Sequence, residues 1–156
     1  MNEKVALSLR LELFWWLFTS LVVFGVLFPI LNKVDAYPFL WINIVYIIVF
    51  ITFTRYVFLL KHTFLAHLHR LKAFIIILSI PVIFYLINGI NYFQTFLDEK
   101  GLDSFLSHLS IDEVTSMGSY IRNEMLLFGV GSTVIAIILP IRMVVSLWRW
   151  RNRGTV

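Results

Sequence analysis

Three histidines, His62, His67 and His69, are the side chains of this sequence best suited to hold a metal ion. Their i, i+5, i+7 spacing does not bring all three onto one helical face, and no carboxylate lies close by in sequence. A histidine pair at i, i+4 would be the stronger sign, so no metal site is expected. A basic, pH-responsive tip is the expected role. The chain has no cysteine, which excludes disulfides, a thiolate nucleophile and Cys-ligated metal. It also lacks H-E-x-x-H, G-x-S-x-G and any Ser–His–Asp set that its topology would assemble. Neither an enzyme nor a bound cofactor is expected.

A second set could work by hydrogen bonding in a low-dielectric medium. Pro81, Tyr85, Asn88, Asn91, Tyr92 and Thr95 fall within about a third of a turn of one another at about 100° per residue. Asn43 belongs at a similar depth on the preceding apolar segment. A carboxamide in hydrocarbon needs a partner, and interhelical hydrogen bonds of this kind contribute about 0.6–2 kcal/mol. The expected role is packing glue, inside a bundle or between protomers. A hydrated pore or vestibule is the alternative, although the stripe carries no charge. Pro81 is expected to kink its helix. Gly129, Ser132, Thr133 and Ala136 form a small-residue stripe that allows close approach of helices or protomers. Phosphate binding by Gly129-Val-Gly131-Ser-Thr is not expected, because the P-loop lysine is missing.

The charged residues have simpler expected roles. Arg55 and Arg142 should snorkel to the headgroups on long stems. An ion pair of Glu12 with either arginine, latching one end of the bundle, is the lesser alternative, since interfacial charges mostly face water. No carboxylate is expected deep in a span, which argues against a proton relay. His108 is expected to be a plain surface residue. Lys61, Arg70, Lys72, Arg149, Arg151 and Arg153 should form a basic face. Such a face attracts anionic lipid by about 1 kcal/mol per residue, or serves as a platform for an acidic cytoplasmic protein. Direct nucleic-acid binding is not expected, because it would compete with the lipid surface.

The elements that must position these residues follow from composition. Of 156 residues, 60% are hydrophobic and 14% charged, against about 45–50% apolar and about 25% charged in a soluble domain. So short a chain cannot absorb that excess in one core. The reading is an all-α polytopic membrane protein, a single domain over 1–156 with spans at about 13–31, 39–60, 73–97 and 121–147. A membrane span needs about 20 helical residues, and backbone groups in lipid must be satisfied within the segment. A barrel would alternate apolar and polar residues, whereas Val134-Ile-Ala-Ile-Ile-Leu139 is continuously apolar. The first span is expected to be retained, since it is longer than a signal-peptide core and no clear cleavage site follows it.

Basic residues set the orientation. Ten of the thirteen Lys and Arg fall on the side of the termini, and three, Lys33, Lys100 and Arg122, on the other. That places both termini in the cytoplasm. Seven of the nine acidic residues, Glu124 included, fall on the outer side. The net +4 thus resolves into about +8 inside and about −4 outside.

The short loop 32–38 forces spans one and two to be antiparallel neighbours. Residues 61–72 contain neither Gly nor Pro, so helices two and three are expected to extend past the membrane and turn near His67–Arg70. Residues 98–120 read as an outer amphipathic segment. Gly101 should cap helix three in a left-handed conformation, and Leu102, Phe105, Leu106 and Leu109 make a one-sided stripe. Ser110 and Glu113 form a capping box for another short helix, which Gly118 and Ser119 should end before span four.

Four spans, termini on the inner side and the basic faces at Lys61–Lys72 and Arg149–Arg153 together resemble the membrane subunit of the Kiwa antiphage system. The resemblance lies in architecture and carries over no site residues. It implies an oligomer in the bacterial inner membrane that works with a cytoplasmic DNA-binding partner. The expected function is accordingly a non-enzymatic, self-associating membrane sensor or scaffold coupling an outer-surface event to a cytoplasmic protein. The alternatives are a small oligomeric ion channel lined by Asn88, Asn91 and Thr95, and an immunity protein against a pore-forming bacteriocin.

Overall fold

A segment that crosses lipid must satisfy its own backbone groups, which favours a helix, and the computed structural model is predominantly helical over its described residues. It describes residues 3–66 and 68–152. The helices are α1 (Glu3–Leu31), α2 (Leu40–Phe58), α3 (His69–Glu99), α4 (Asp103–Leu106) and α5 (Ile111–Asn152). Among the described residues, four of these (α1, α2, α3 and α5) are long and apolar enough to cross a membrane. Their order places Glu3 and Asn152 at one end of the bundle, here called the terminal end. Loop 32–39, α4 and the start of α5 lie at the other, the lid end.

Helix α5 is the hub. It packs along both α2 and α3, whereas α1 leans mainly on α2. Small residues make the close approaches possible. A Cβ on Gly89 would fall 2.5 Å from Tyr46 Oη, and one on Gly129 would fall 3.3 Å from the Tyr46 ring. The fully buried Tyr46 therefore sits between two glycines, and its hydroxyl donates to the Leu86 carbonyl at 3.1 Å. Ser132 and Ala136 are buried on the same face of α5 and Thr133 is half-buried. Towards the lid end Phe39 centres an aromatic cluster, 5.0 Å from Phe93 and 4.9 Å from Phe96 by ring centroids. Towards the terminal end Val57, Leu60, Leu65, Leu139 and Met143 form a second core. Leu13, Phe14, Leu17, Leu21 and Phe24 on α1 remain exposed, as lipid-facing residues should.

Two boundaries depart from the sequence reading. Helix α2 ends at Phe58, and the connection to α3 is two 3-10 turns, Leu60–His62 and Phe64–Ala66. Helix α2 therefore stops short of the expected extension, whereas α3 does begin at His69, within the expected turn region. Thr63 between the turns is extended, and the Lys72 ammonium draws the chain back by donating to the Ala66 carbonyl at 2.7 Å. At the lid end α5 does not break at Gly118 and Ser119. It runs 42 residues without interruption, because Leu102 and Leu106 pack onto the bare Gly118 backbone and contribute more than glycine's poor helix propensity costs. Helix α3 is one helix with Pro81 inside it, which a proline kink permits. Gly101 does adopt the left-handed cap, with φ of 69° and its N–H on the Phe96 carbonyl at 3.2 Å.

Candidate functional site

Polar side chains concentrate at four places. The first is in the core near the lid end. Asn43, one turn into α2, is fully buried, and Glu124 on α5 is 6% exposed. The Asn43 amide donates to Glu124 Oε1 and to the Tyr37 hydroxyl at 3.3 Å. Asn43 Oδ1 and Glu124 Oε2 have no hydrogen-bond partner. This corrects two expectations. Glu124 is an acidic residue inside a span, not part of the outer face. Asn43 is bonded to it rather than grouped with the α3 stripe.

The second place is the lid. Glu113 accepts from Ser110 N and Oγ at 3.3 and 2.9 Å, which is the reaching-back half of a capping box. It also accepts from Lys33 Nζ at 2.9 Å. These bonds hold its carboxyl well below the ordinary range, at about 2. His108 Nε2 lies 2.7 Å from the Lys33 carbonyl, so it ties α4 to the first loop instead of standing alone. The Tyr120 hydroxyl donates to the Val26 carbonyl at 2.9 Å.

The third place is the terminal half. Arg55 does not snorkel outward. It is 6% exposed and donates two hydrogen bonds to Glu12, at 2.7 and 2.8 Å. Its guanidinium lies 5.3 Å from the Trp15 ring and 5.9 Å from the Tyr56 ring. The ion pair of the lesser alternative is thus the arrangement found, because Glu12 and Arg55 lie at the same depth on neighbouring helices. Arg142 makes no latch with Glu12. Its Nε donates to the Val57 carbonyl at 3.1 Å, satisfying a carbonyl in the last turn of α2. Beside it a cleft of about 460 Å³ opens between the 3-10 turns, the start of α3 and the end of α5. Lys61, Lys72 and Arg149 of the anticipated basic face line it, joined by His69 and Arg142. Arg70 and Arg151 are exposed and do not line the cleft, and Arg153 and His67 lie outside the described residues. Among the described residues no group of His, Asp or Glu is placed to hold a metal.

The fourth place is the outer face of α3. Tyr85, Asn88, Asn91, Tyr92 and Thr95 are all exposed. Tyr92 keeps a ring contact with the buried Phe39, at 5.7 Å between centroids, whereas Asn88, Asn91 and Thr95 face outward and are not placed as packing glue within one chain.

No family model, curated protein or solved structure matches the chain. Functional reading therefore rests on these four constellations. None pairs a nucleophile with a base. What they offer is an exposed polar stripe along α3, charge at the terminal end and a hydrogen-bonded lid at the other.

Proposed function

We propose that this chain is a non-enzymatic, self-associating membrane scaffold. The observation that carries the reading is the outward stripe. Asn88 and Asn91 are exposed on a helix long and apolar enough to cross a membrane. In lipid, four carboxamide groups at a symmetric contact between two protomers would find partners, each interhelical hydrogen bond contributing about 0.6–2 kcal/mol. A second copy is the simplest source of a matching stripe. The stripe supports a subunit contact, and the basic terminal end and the tethered lid support coupling between the two membrane faces. The proposed setting is the bacterial inner membrane with both termini cytoplasmic. The resemblance to the Kiwa membrane subunit supports, as a specific form, work beside a cytoplasmic partner in antiphage defence.

The test is native mass spectrometry of the full chain in mild detergent. Wild type should run as an oligomer, and Asn88→Leu with Asn91→Leu should weaken association by tenfold or more, about 1.4 kcal/mol. A monomeric wild type, or an unchanged oligomer in the double variant, overturns the reading. A channel is the second reading, favoured by the same stripe if it faces a central lumen. Ion flux from reconstituted vesicles that the double variant abolishes would select it over the scaffold.

A further inference from the structure

The cleft at the terminal end has an electrostatic imbalance that the described residues do not correct. The segments that build it, residues 60–72 and 142–150, hold five Lys or Arg residues and no Asp or Glu. Glu12, on the neighbouring α1, is committed to Arg55 through both of its oxygens. Lys72 is 2% exposed, yet its ammonium touches only neutral acceptors, the Ala66 carbonyl at 2.7 Å and Ser146 Oγ at 3.0 Å. Among the described residues it has no carboxylate within ion-pair distance. A buried ammonium without a counter-ion is strongly disfavoured, so the cleft fits an anion brought from outside.

The geometry specifies which anion. The hydrogen bond from Arg142 Nε to Val57 fixes the guanidinium plane and leaves both terminal amino groups for a ligand. A planar fork of this kind matches two oxygens of a phosphate. Lys61 and Arg149 are exposed at the rim and add charge without closing the entrance. The volume, about 460 Å³, accommodates a headgroup-sized ligand. The Trp150 indole stacks on the His69 ring with centroids 4.0 Å apart, and Trp148 is 64% exposed. Tryptophans so placed mark the level of the lipid headgroups, and basic pockets between spanning helices hold acidic headgroups there.

We propose that this cleft binds a phosphate group, with Lys72 and Arg142 as its inner ligands and Lys61 and Arg149 at its rim. The phosphate belongs to the headgroup of an acidic phospholipid, and a soluble phosphate is the other source of the same chemistry. The proposal does not depend on the subunit contact along α3.

The experiment uses the full chain in non-ionic detergent, with phosphatidylglycerol, phosphatidylcholine or inorganic phosphate added separately. Native mass spectrometry reads retained lipid, and thermal unfolding reads stabilisation. Phosphatidylglycerol should be retained and should raise the unfolding midpoint, while phosphatidylcholine does neither. Lys61→Gln with Arg149→Gln, two exposed positions, should weaken phosphatidylglycerol retention about tenfold or more and leave the lipid-free midpoint unchanged. Arg142→Gln should weaken it further. Equal retention of the two lipids, or undiminished phosphatidylglycerol retention in both variants, overturns the proposal. Stabilisation by inorganic phosphate alone, with none by phosphatidylglycerol, overturns the lipid assignment and identifies a soluble anion as the ligand.

Discussion

Arg55 and Glu124 are enclosed to the same degree, each 6% exposed, but their surroundings differ. Arg55 has a carboxylate on two of its N–H groups and two aromatic faces beside it. Glu124 has only neutral groups beside it, the Asn43 amide and the Tyr37 hydroxyl, and an oxygen with no partner. A buried charge held by its opposite depends on both partners, because losing one leaves the other stranded. A carboxyl held by an amide depends mainly on shape and hydrogen bonding. The terminal half of the bundle is therefore the more fragile to charge-changing substitution, and the lid half to loss of packing.

The largest test of that contrast is Glu12→Ala. Stranding Arg55 should cost about 3–5 kcal/mol, by analogy with other broken buried pairs, read as a lowered unfolding midpoint in detergent. Glu12→Leu combined with Arg55→Leu should recover most of the loss, since apolar replacement of a whole buried pair is often neutral. Next comes Gly89→Ala. The new methyl would lie 2.5 Å from Tyr46 Oη and 2.8 Å from Ile42, and overpacking of this kind costs about 1–3 kcal/mol. Smaller still is Glu124→Gln. Glutamine keeps an oxygen for the Asn43 amide, so the same unfolding measurement should change by under about 1 kcal/mol. A loss equal to that of Glu12→Ala would erase the distinction between the two halves.

The smallest effect lies at the surface of the lid. Glu113 is held at about 2, chiefly by the hydrogen bond from Lys33 and then by Ser110. A carboxyl lowered by folding contributes stability above its unfolded pKa, near 4.3, and that contribution is lost as pH falls toward about 2. Unfolding midpoints compared at about pH 5 and about pH 3 should fall less in Lys33→Met than in wild type.

The number of spans was legible in sequence because an apolar run of twenty residues admits few alternatives. The Gly101 cap and the Ser110–Glu113 box were legible because each is local, within five residues. What escaped is what depends on facing. Periodicity groups Asn88 with Asn91, but a helix in lipid is apolar toward both core and solvent, so the pattern does not say which side turns inward. Asn43 and Glu124 are 81 residues apart, and their meeting depends on the register of α2 against α5. Charge counting put Glu124 on the outer face for want of that register. The continuity of α5 through Gly118 escaped for the same reason, since Leu102 and Leu106 reach it from another element.

A helix of 42 residues is about 63 Å long, roughly twice the hydrocarbon thickness of about 30 Å. It runs as one helix from the lid to the rim of the basic cleft, a geometry that would let it act as a lever across the bilayer. A tilt of about 5° would carry one tip about 5 Å relative to the other. The hydrogen bonds of Ser110, Glu113 and Lys33 hold the start of that lever, while Arg149 and Trp150 ride near its far tip. Between the two ends the ladder of backbone hydrogen bonds loses a donor at Pro140, so in the proposed scaffold any movement passed along α5 would cross that point.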